Sequence, residues 1–131
     1  MDAGGRVVGE EPKMLASAST LALERAVALI KRRGGLAVAA HVDRPSFSVM
    51  SQLGLFPEGA GFDAIEVFGG GARPASPVDW AALGLPVLRG SDSHYLAEIG
   101  SRTTDLALEE ATLGGLRAAI AGQAGGRTGR A

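Results

Sequence analysis

Three side chains have the types and spacing that metal chemistry requires. The chain contains only two histidines, His41 and His94. His41 follows the apolar run LAVAA, and His94 follows PVLRGSDS, in which Asp92 lies two residues before it. If the segment around Asp92 is extended, its carboxylate and the His94 imidazole point to the same side. Oxygen and nitrogen donors of this kind suit Zn, Mn or Fe.

Three predicted strands place these residues where α/β proteins bind ligands. Residues 36–40 are apolar at every position, which is typical of a strand covered on both faces in a parallel sheet. Residues 62–68 and 86–90 are predicted as the next two strands. Ligands of α/β proteins bind at the carboxyl ends of such strands, and both histidines fall at or just past those ends.

Each candidate also has an ordinary structural interpretation. A histidine at the end of a strand is commonly a hydrogen-bonded surface residue. Asp92, between Ser91 and Ser93, can form an Asx turn by accepting backbone N–H groups. Two histidines at strand ends together with an Asp-x-His pair reduce the weight of these alternatives.

Helices are predicted between the strands. The first spans residues 20–33, where Leu23, Val27 and Ile30 repeat at helical spacing, Thr20 is a candidate cap and Gly34 ends the pattern. Further helices are predicted at residues 46–53, closed by Gly54, at 76–84 and at 112–121. The last of these should bury three apolar side chains: Leu113, Leu116 and Ile120.

Alternating helices and strands predict βα units in a single α/β domain over residues 1–131. Residues 1–18 are predicted to be a loop and residues 103–108 are a candidate edge strand. Residues 122–131 are predicted to be a flexible tail.

Composition excludes several classes of protein. The net charge of -1 and pI near 6.1, with no basic cluster, argue against structural nucleic-acid binding but leave nucleic acid open as a substrate. The absence of cysteine excludes disulfides, thiolate metal sites and a cysteine nucleophile. No GxSxG or GxxxxGK[ST] motif is present. With no signal-like or membrane-spanning apolar run, we expect a cytoplasmic chain without membrane contact.

Taken together, three segments resemble the later motifs of the PHP family, named for polymerase and histidinol phosphatase. They are GGLAVAAHVDRPSFSVMSQLG at 34–54, FDAIEV at 62–67 and LRGSDSHYLAEIG at 88–100, and the resemblance covers roughly residues 6–122. It implies the C-terminal portion of a PHP domain, with a fold resembling the second half of a distorted seven-stranded TIM-like barrel. It also implies that His41, Asp92 and His94 are ligands in a cluster of two or three divalent metal ions.

The resemblance suggests roles for three further residues. Glu66 aligns with an acidic position that lines the mouth of the barrel, although a carboxylate paired with an arginine is an equal interpretation. Arg44 and Arg102 could bind substrate phosphate, because guanidinium groups contact such oxygens in a bidentate way. A salt-bridged or solvated arginine is the alternative at each position.

One departure from the family pattern is large. PHP proteins open with an HxH strand, a further histidine and an acidic bridging ligand, whereas no histidine precedes His41 here. We therefore expect either a fragment that lacks the first half of the barrel or a degenerate member that has lost its site.

The resemblance implies a hydrolase of the histidinol phosphatase-like type, a metal-dependent phosphoesterase. It would act on a small phosphorylated substrate or nucleotide through metal-activated water, and the isolated chain should be weak or inactive. The main alternative is a non-catalytic binding or assembly module that forms a homo-oligomer or pairs with a complementing fragment. A different metal hydrolase on a similar barrel is a third interpretation.

Overall fold

The computed structural model describes residues 2–14, 18–69 and 79–125. Within these residues the regular elements are α1 (Leu23–Arg32), β1 (Val38–Ala39), α2 (Val49–Leu53), β2 (Ala64–Val67), β3 (Val87–Arg89) and α3 (Leu113–Gly125). Short 3-10 helices lie at Glu58–Ala60, Trp80–Leu83 and Leu96–Glu98. Residues 2–14 contain no helix or strand, as the loop prediction expects.

The strands form one parallel sheet in the order β1-β2-β3. Val38 is in register with Ala64, and Ile65 is in register with Val87. The three predicted strands are therefore parallel neighbours. The partial barrel stays a prediction, because three short parallel strands occur in open sheets and in barrels alike.

β1 is much shorter than the predicted strand at 36–40. A side-chain hydrogen bond limits it at its start, and a turn limits it at its end. The Ala37 N–H donates to Asp63 Oδ2 at 2.8 Å, so a side chain takes the place of a backbone partner. After Ala39 the chain turns, and His41 has a φ of 31°, which no strand residue adopts.

The buried core lies around the sheet. Ala39, Val42, Ile65 and Val67 are buried together, and half-buried apolar side chains from α2 and from the segments flanking β2 and β3 pack against them. This core positions the carboxyl ends of β1 and β2, where the candidate site begins.

α1 begins later than predicted, and Thr20 is not its cap. Ala22 occupies the N-cap position, with no side-chain hydrogen bond, and the helix starts at Leu23. Val27 is buried, but Ile30 is exposed, so the buried face is narrower than the predicted one. Beyond the last turn, Gly34 has a φ of 77°, as the predicted stop requires.

α2 also begins later than predicted. Phe47 has a φ of 60°, so a helix cannot start before it. Ser48 instead caps the helix, since its Oγ accepts the Ser51 N–H at 3.0 Å. The predicted end is confirmed, because Gly54 is the left-handed C-cap residue.

The prediction of an edge strand at residues 103–108 is wrong, because this segment forms no strand. The Thr104 hydroxyl accepts the Arg89 N–H at 2.5 Å and lies 3.0 Å from the Arg89 carbonyl oxygen, to which it donates. A single side chain thus occupies the position along β3 that a neighbouring strand would take.

Two helix predictions need partial correction. The start of the helix at 76–84 lies outside the described residues, and Trp80–Leu83 forms a 3-10 helix rather than an α-helix. α3 continues to Gly125, so part of the predicted tail at 122–131 is helical, and the rest lies outside the described residues. Ile120 is buried, whereas Leu113 is 50% exposed. None of the described helices has the length and apolar character needed to cross a membrane.

Candidate functional site

His41 and Asp92 lie beyond the carboxyl ends of two strands and share an unusual backbone conformation. His41 follows β1 by two residues and Asp92 follows β3 by three. Both therefore lie at the carboxyl-terminal end of the parallel strands. Their φ values are 31° and 45°. Among the described non-glycine residues, Phe47 is the only other one with a positive φ. Such conformations cost free energy and are concentrated at functional sites.

Asp92 forms an ion pair with Arg44 at the carboxyl-terminal end of the strands. Arg44 Nη2 lies 2.6 Å from Asp92 Oδ2, with side-chain exposures of 35% and 23%. Arg44 follows β1, so this ion pair joins the ends of β1 and β3. The salt-bridged alternative for Arg44 is therefore what the structure contains, and one carboxylate oxygen of Asp92 is engaged by it.

His94 is oriented by its immediate neighbours. Its Nδ1 lies 2.9 Å from the Asp92 carbonyl oxygen, and its backbone N–H donates to Glu98 Oε2 at 2.9 Å. Because a carbonyl oxygen only accepts, this contact selects the neutral tautomer in which Nδ1 carries the ring proton and Nε2 has the lone pair. Nε2 is therefore the ring atom that could bind a metal or accept a proton.

Two arginines stack on one aromatic ring. Arg44 Cζ lies 4.0 Å from the centroid of the Phe68 ring, and Arg102 Cζ lies 4.1 Å from it. Phe68 follows β2 directly, and its ring contacts both Arg44, which follows β1, and Arg102, in the chain beyond β3. Sequence reasoning missed Phe68, and the position of FDAIEVF between the two arginine-containing motifs was the signal that could have found it.

These side chains surround a cavity of about 360 Å³, which is within the size range of small-molecule sites. Its lining includes Arg44, Phe68, Asp92, His94, Tyr95 and Arg102. Four of the five predicted site residues therefore share one cavity. His41, the fifth, is not among the residues that line it in the described structure.

A known protein family matches the part of the chain that contributes Asp92, His94 and Arg102 to this site. A family model described as PHP-associated matches residues 80–123. We refer to residues 80–123, which are similar to this family, as the PHP-associated segment. The resemblance to the C-terminal portion of a PHP domain is confirmed for these residues. No curated protein and no solved structure matches the chain at a significant level.

His41 and Arg44 precede the PHP-associated segment, and each has an unpaired buried nitrogen. His41 Nδ1 and Arg44 Nε are buried and have no hydrogen-bond partner among the described residues. A buried nitrogen without a partner carries a desolvation cost. A hydrogen-bond acceptor at Arg44 Nε, or a metal or hydrogen-bond partner at His41 Nδ1, would remove this cost.

Glu66 lies in β2 with its carboxylate against Gly90, which follows β3 in the PHP-associated segment. A side chain at position 90 would collide with this carboxylate, which explains why glycine stands there. Among the described residues, no arginine forms an ion pair with Glu66, so the arginine-paired interpretation is not observed.

Each predicted metal ligand has an atom that could coordinate a metal ion, but together the three residues do not form a complete site. His41 offers an unpartnered buried nitrogen and His94 an oriented imidazole, whereas Arg44 engages the Asp92 carboxylate. Within the described ranges, no group of three or more His, Cys, Asp or Glu residues could hold an ion. Stable sites use three or four ligands, so these residues need additional donors.

Proposed function

We propose that this chain is the C-terminal portion of a PHP-type metal-dependent phosphoesterase, which requires an upstream segment for full activity. The observation that carries the proposal is the cavity at the strand ends, where Asp92 and His94 lie beside two guanidinium groups. Phosphoryl transfer depends on cations that position the phosphate and stabilise its charge. The PHP-associated match supports the same assignment, because it contains both Asp92 and His94.

Arg102 is the better placed of the two arginines to bind a phosphate. Arg44 already pairs with Asp92, whereas Arg102 has no ion-pair partner among the described residues. The Arg102 guanidinium stacks its face on Phe68. Stacking leaves the N–H groups at the edge of the guanidinium available for a bidentate contact with phosphate oxygens.

His41, Asp92 and His94 would be this chain's contribution to a metal cluster of Zn, Mn or Fe ions. When bound, such ions supply an activated water and neutralise charge on the phosphoryl oxygens. Each residue would serve a different ion with partners from the upstream segment, since the three do not form one ligand set in the described structure. His94 Nε2 is oriented for this role by the contact between Nδ1 and the Asp92 carbonyl oxygen.

The first prediction compares the 131-residue chain with a longer chain that carries an upstream HxH segment. We expect the short chain to bind Zn or Mn weakly and to hydrolyse p-nitrophenyl phosphate poorly, because one protein ligand per ion is too few. The longer chain should gain tight metal binding and hydrolysis together. Calorimetry and a colorimetric assay measure these two properties.

In the longer chain, Asp92→Asn and His94→Ala should each abolish both properties, while Ser93→Ala, which alters an exposed hydroxyl between them, should retain both. Hydrolysis by the short chain at about 1 per second or faster, persisting after His94→Ala, would contradict the assignment.

A second candidate is a non-catalytic binding or assembly module derived from a PHP domain. It is favoured by the Arg44–Asp92 ion pair, which engages a predicted metal ligand, and by the absence of a complete donor group in the described residues. Failure of the longer chain to bind metal, together with stable association with an upstream fragment, would select this function.

A further inference from the structure

The ring of Phe68 is the physical support of both guanidinium groups in the cavity. The Cζ atoms of Arg44 and Arg102 lie 4.0 and 4.1 Å from its centroid. The two arginines are far apart in the sequence, yet both contact the same ring. Moving the ring would therefore move both cations.

The backbone of Phe68 is held by a carboxylate from the end of another strand. Asp43 Oδ1 accepts the Phe68 N–H at 2.7 Å, and Asp43 Oδ2 accepts the Gly69 N–H at 2.7 Å. Hydrogen bonds to an ionised acceptor are short and stronger than neutral ones. Asp43 thus fixes the point where the chain leaves β2, and with it the position of the ring.

We propose that Asp43 and Phe68 are positioning residues of an oxyanion-binding subsite for a phosphate group, in which the guanidinium groups of Arg44 and Arg102 contact the ligand. This inference rests on the proposed function and deepens it. Asp43 and Phe68 act through the arginines and do not themselves bind the phosphate.

The physical basis is preorganisation. A free arginine side chain samples many rotamers, and restricting it on binding costs conformational entropy. Stacking on an aromatic face restricts the guanidinium before the ligand arrives, and the electrostatic attraction of the ring holds it there. The N–H groups in the guanidinium plane stay available for two parallel hydrogen bonds to phosphate oxygens.

The first test measures the position of the arginines without any ligand. Ring currents from Phe68 should displace the NMR signals of the Arg44 and Arg102 δ-methylene protons in the 131-residue chain. Phe68→Leu should remove the displacement, and Phe68→Trp should retain it. Asp43→Asn should reduce the displacement, because an amide offers one acceptor where the carboxylate offers two.

The second test measures the affinity for inorganic phosphate by titration calorimetry. Phe68→Leu should weaken binding about threefold to tenfold, and Phe68→Trp should keep it within about twofold. A role in packing alone would be served by leucine, so rescue by tryptophan but not by leucine identifies the aromatic face. Phe62→Leu is the matched control: Phe62 packs on the core and against Phe56, so phosphate affinity should be unchanged.

Wild-type phosphate affinity in a folded Phe68→Leu variant would overturn the inference, as would wild-type protein that binds no phosphate. These results are distinguishable from failure of the proposed function. Metal-dependent hydrolysis by the longer chain with unchanged phosphate affinity in Phe68→Leu refutes only the positioning role. Phosphate binding that depends on Phe68, without hydrolysis by the longer chain, supports the subsite and refutes the phosphoesterase.

Discussion

At the scale of single residues, three residues other than glycine have a backbone conformation that favours glycine. His41, Phe47 and Asp92 all have positive φ values, each at a cost of about 1–2 kcal/mol relative to an unstrained conformation. Asp92 is held in place by Arg44, and the Val42 N–H beside His41 donates to the Glu66 carbonyl oxygen at 2.8 Å. Phe47 differs, because its side chain is 87% exposed and lies outside the cavity lining.

Phe47 therefore allows a test of backbone strain without loss of the site. Phe47→Gly should raise the free energy of unfolding by about 0.5–1 kcal/mol, because glycine adopts positive φ without a steric penalty. Little apolar burial is lost, since the ring is exposed. Urea denaturation followed by circular dichroism measures the change. Phe47→Ala keeps the strain and is the control; equal stability of the two variants would show that position 47 is not strained.

At the scale of elements, Asp63 connects the sheet to two helices. Its carboxylate accepts the Ala37 N–H at 2.8 Å and lies 3.1 Å from Lys31 Nζ on α1 and 3.7 Å from Arg117 Nη1 on α3. Burial raises the pKa of Asp63 and is the largest single effect. The Ala37 amide, Lys31 and Arg117 together outweigh it and hold the pKa below its usual range.

The depressed pKa of Asp63 predicts a pH-dependent contribution to stability. The contribution is fully present above the unfolded-state pKa of about 3.9 and is lost as pH falls through the lower folded-state value. Asp63→Asn should lower the free energy of unfolding at pH 7 by about 1 kcal/mol, a modest figure because Lys31 and Arg117 are partly exposed and screened by solvent.

The difference between wild type and Asp63→Asn should shrink as pH falls below about 4. Denaturation curves at pH 7, 5, 4 and 3 would measure it, with the exposed Glu109→Gln as the control for general charge effects. A difference that stays constant over this range would show that the ionised carboxylate is not the stabilising species.

At the scale of the whole molecule, the two edges of the sheet differ. The outer edge of β3 is occupied by the Thr104 hydroxyl, which bonds both the N–H and the carbonyl of Arg89. β1 is at the other edge, and in the described ranges it pairs with β2 alone. An open strand edge is a template for pairing with another chain.

The open edge at β1 predicts association, either with a second copy or with a complementing fragment. Light scattering after size-exclusion chromatography should give a mass above 13.3 kDa that rises with protein concentration. Val38→Lys should shift the population towards monomer, because lysine on an edge strand opposes pairing. Thr103→Lys, beside the occupied edge, should leave association unchanged. A compact 13.3 kDa monomer that unfolds cooperatively would contradict the prediction.

Local patterns in the sequence were sufficient for much of the fold. The continuous apolar run at 36–40 identified the first strand, because such runs are covered on both faces. Alternation of helices and strands along the chain indicated that the three strands are parallel. Gly34 and Gly54 marked helix ends correctly, since both positions need a positive φ that glycine adopts freely. Residues 103–108 were misassigned because sequence pattern cannot show that one threonine hydroxyl satisfies the edge of β3.

The sequence by itself determined which residues could do chemistry and that they stand at strand ends, because residue type and apolar periodicity are local properties. Tertiary structure alone decided their partners. Arg44 and Asp92 lie 48 positions apart, and Asp43 and Phe68 lie 25 apart, so their contacts depend on the register of three strands and the direction of each turn. Long-range register follows from how the whole core packs, and no short window of sequence contains that information.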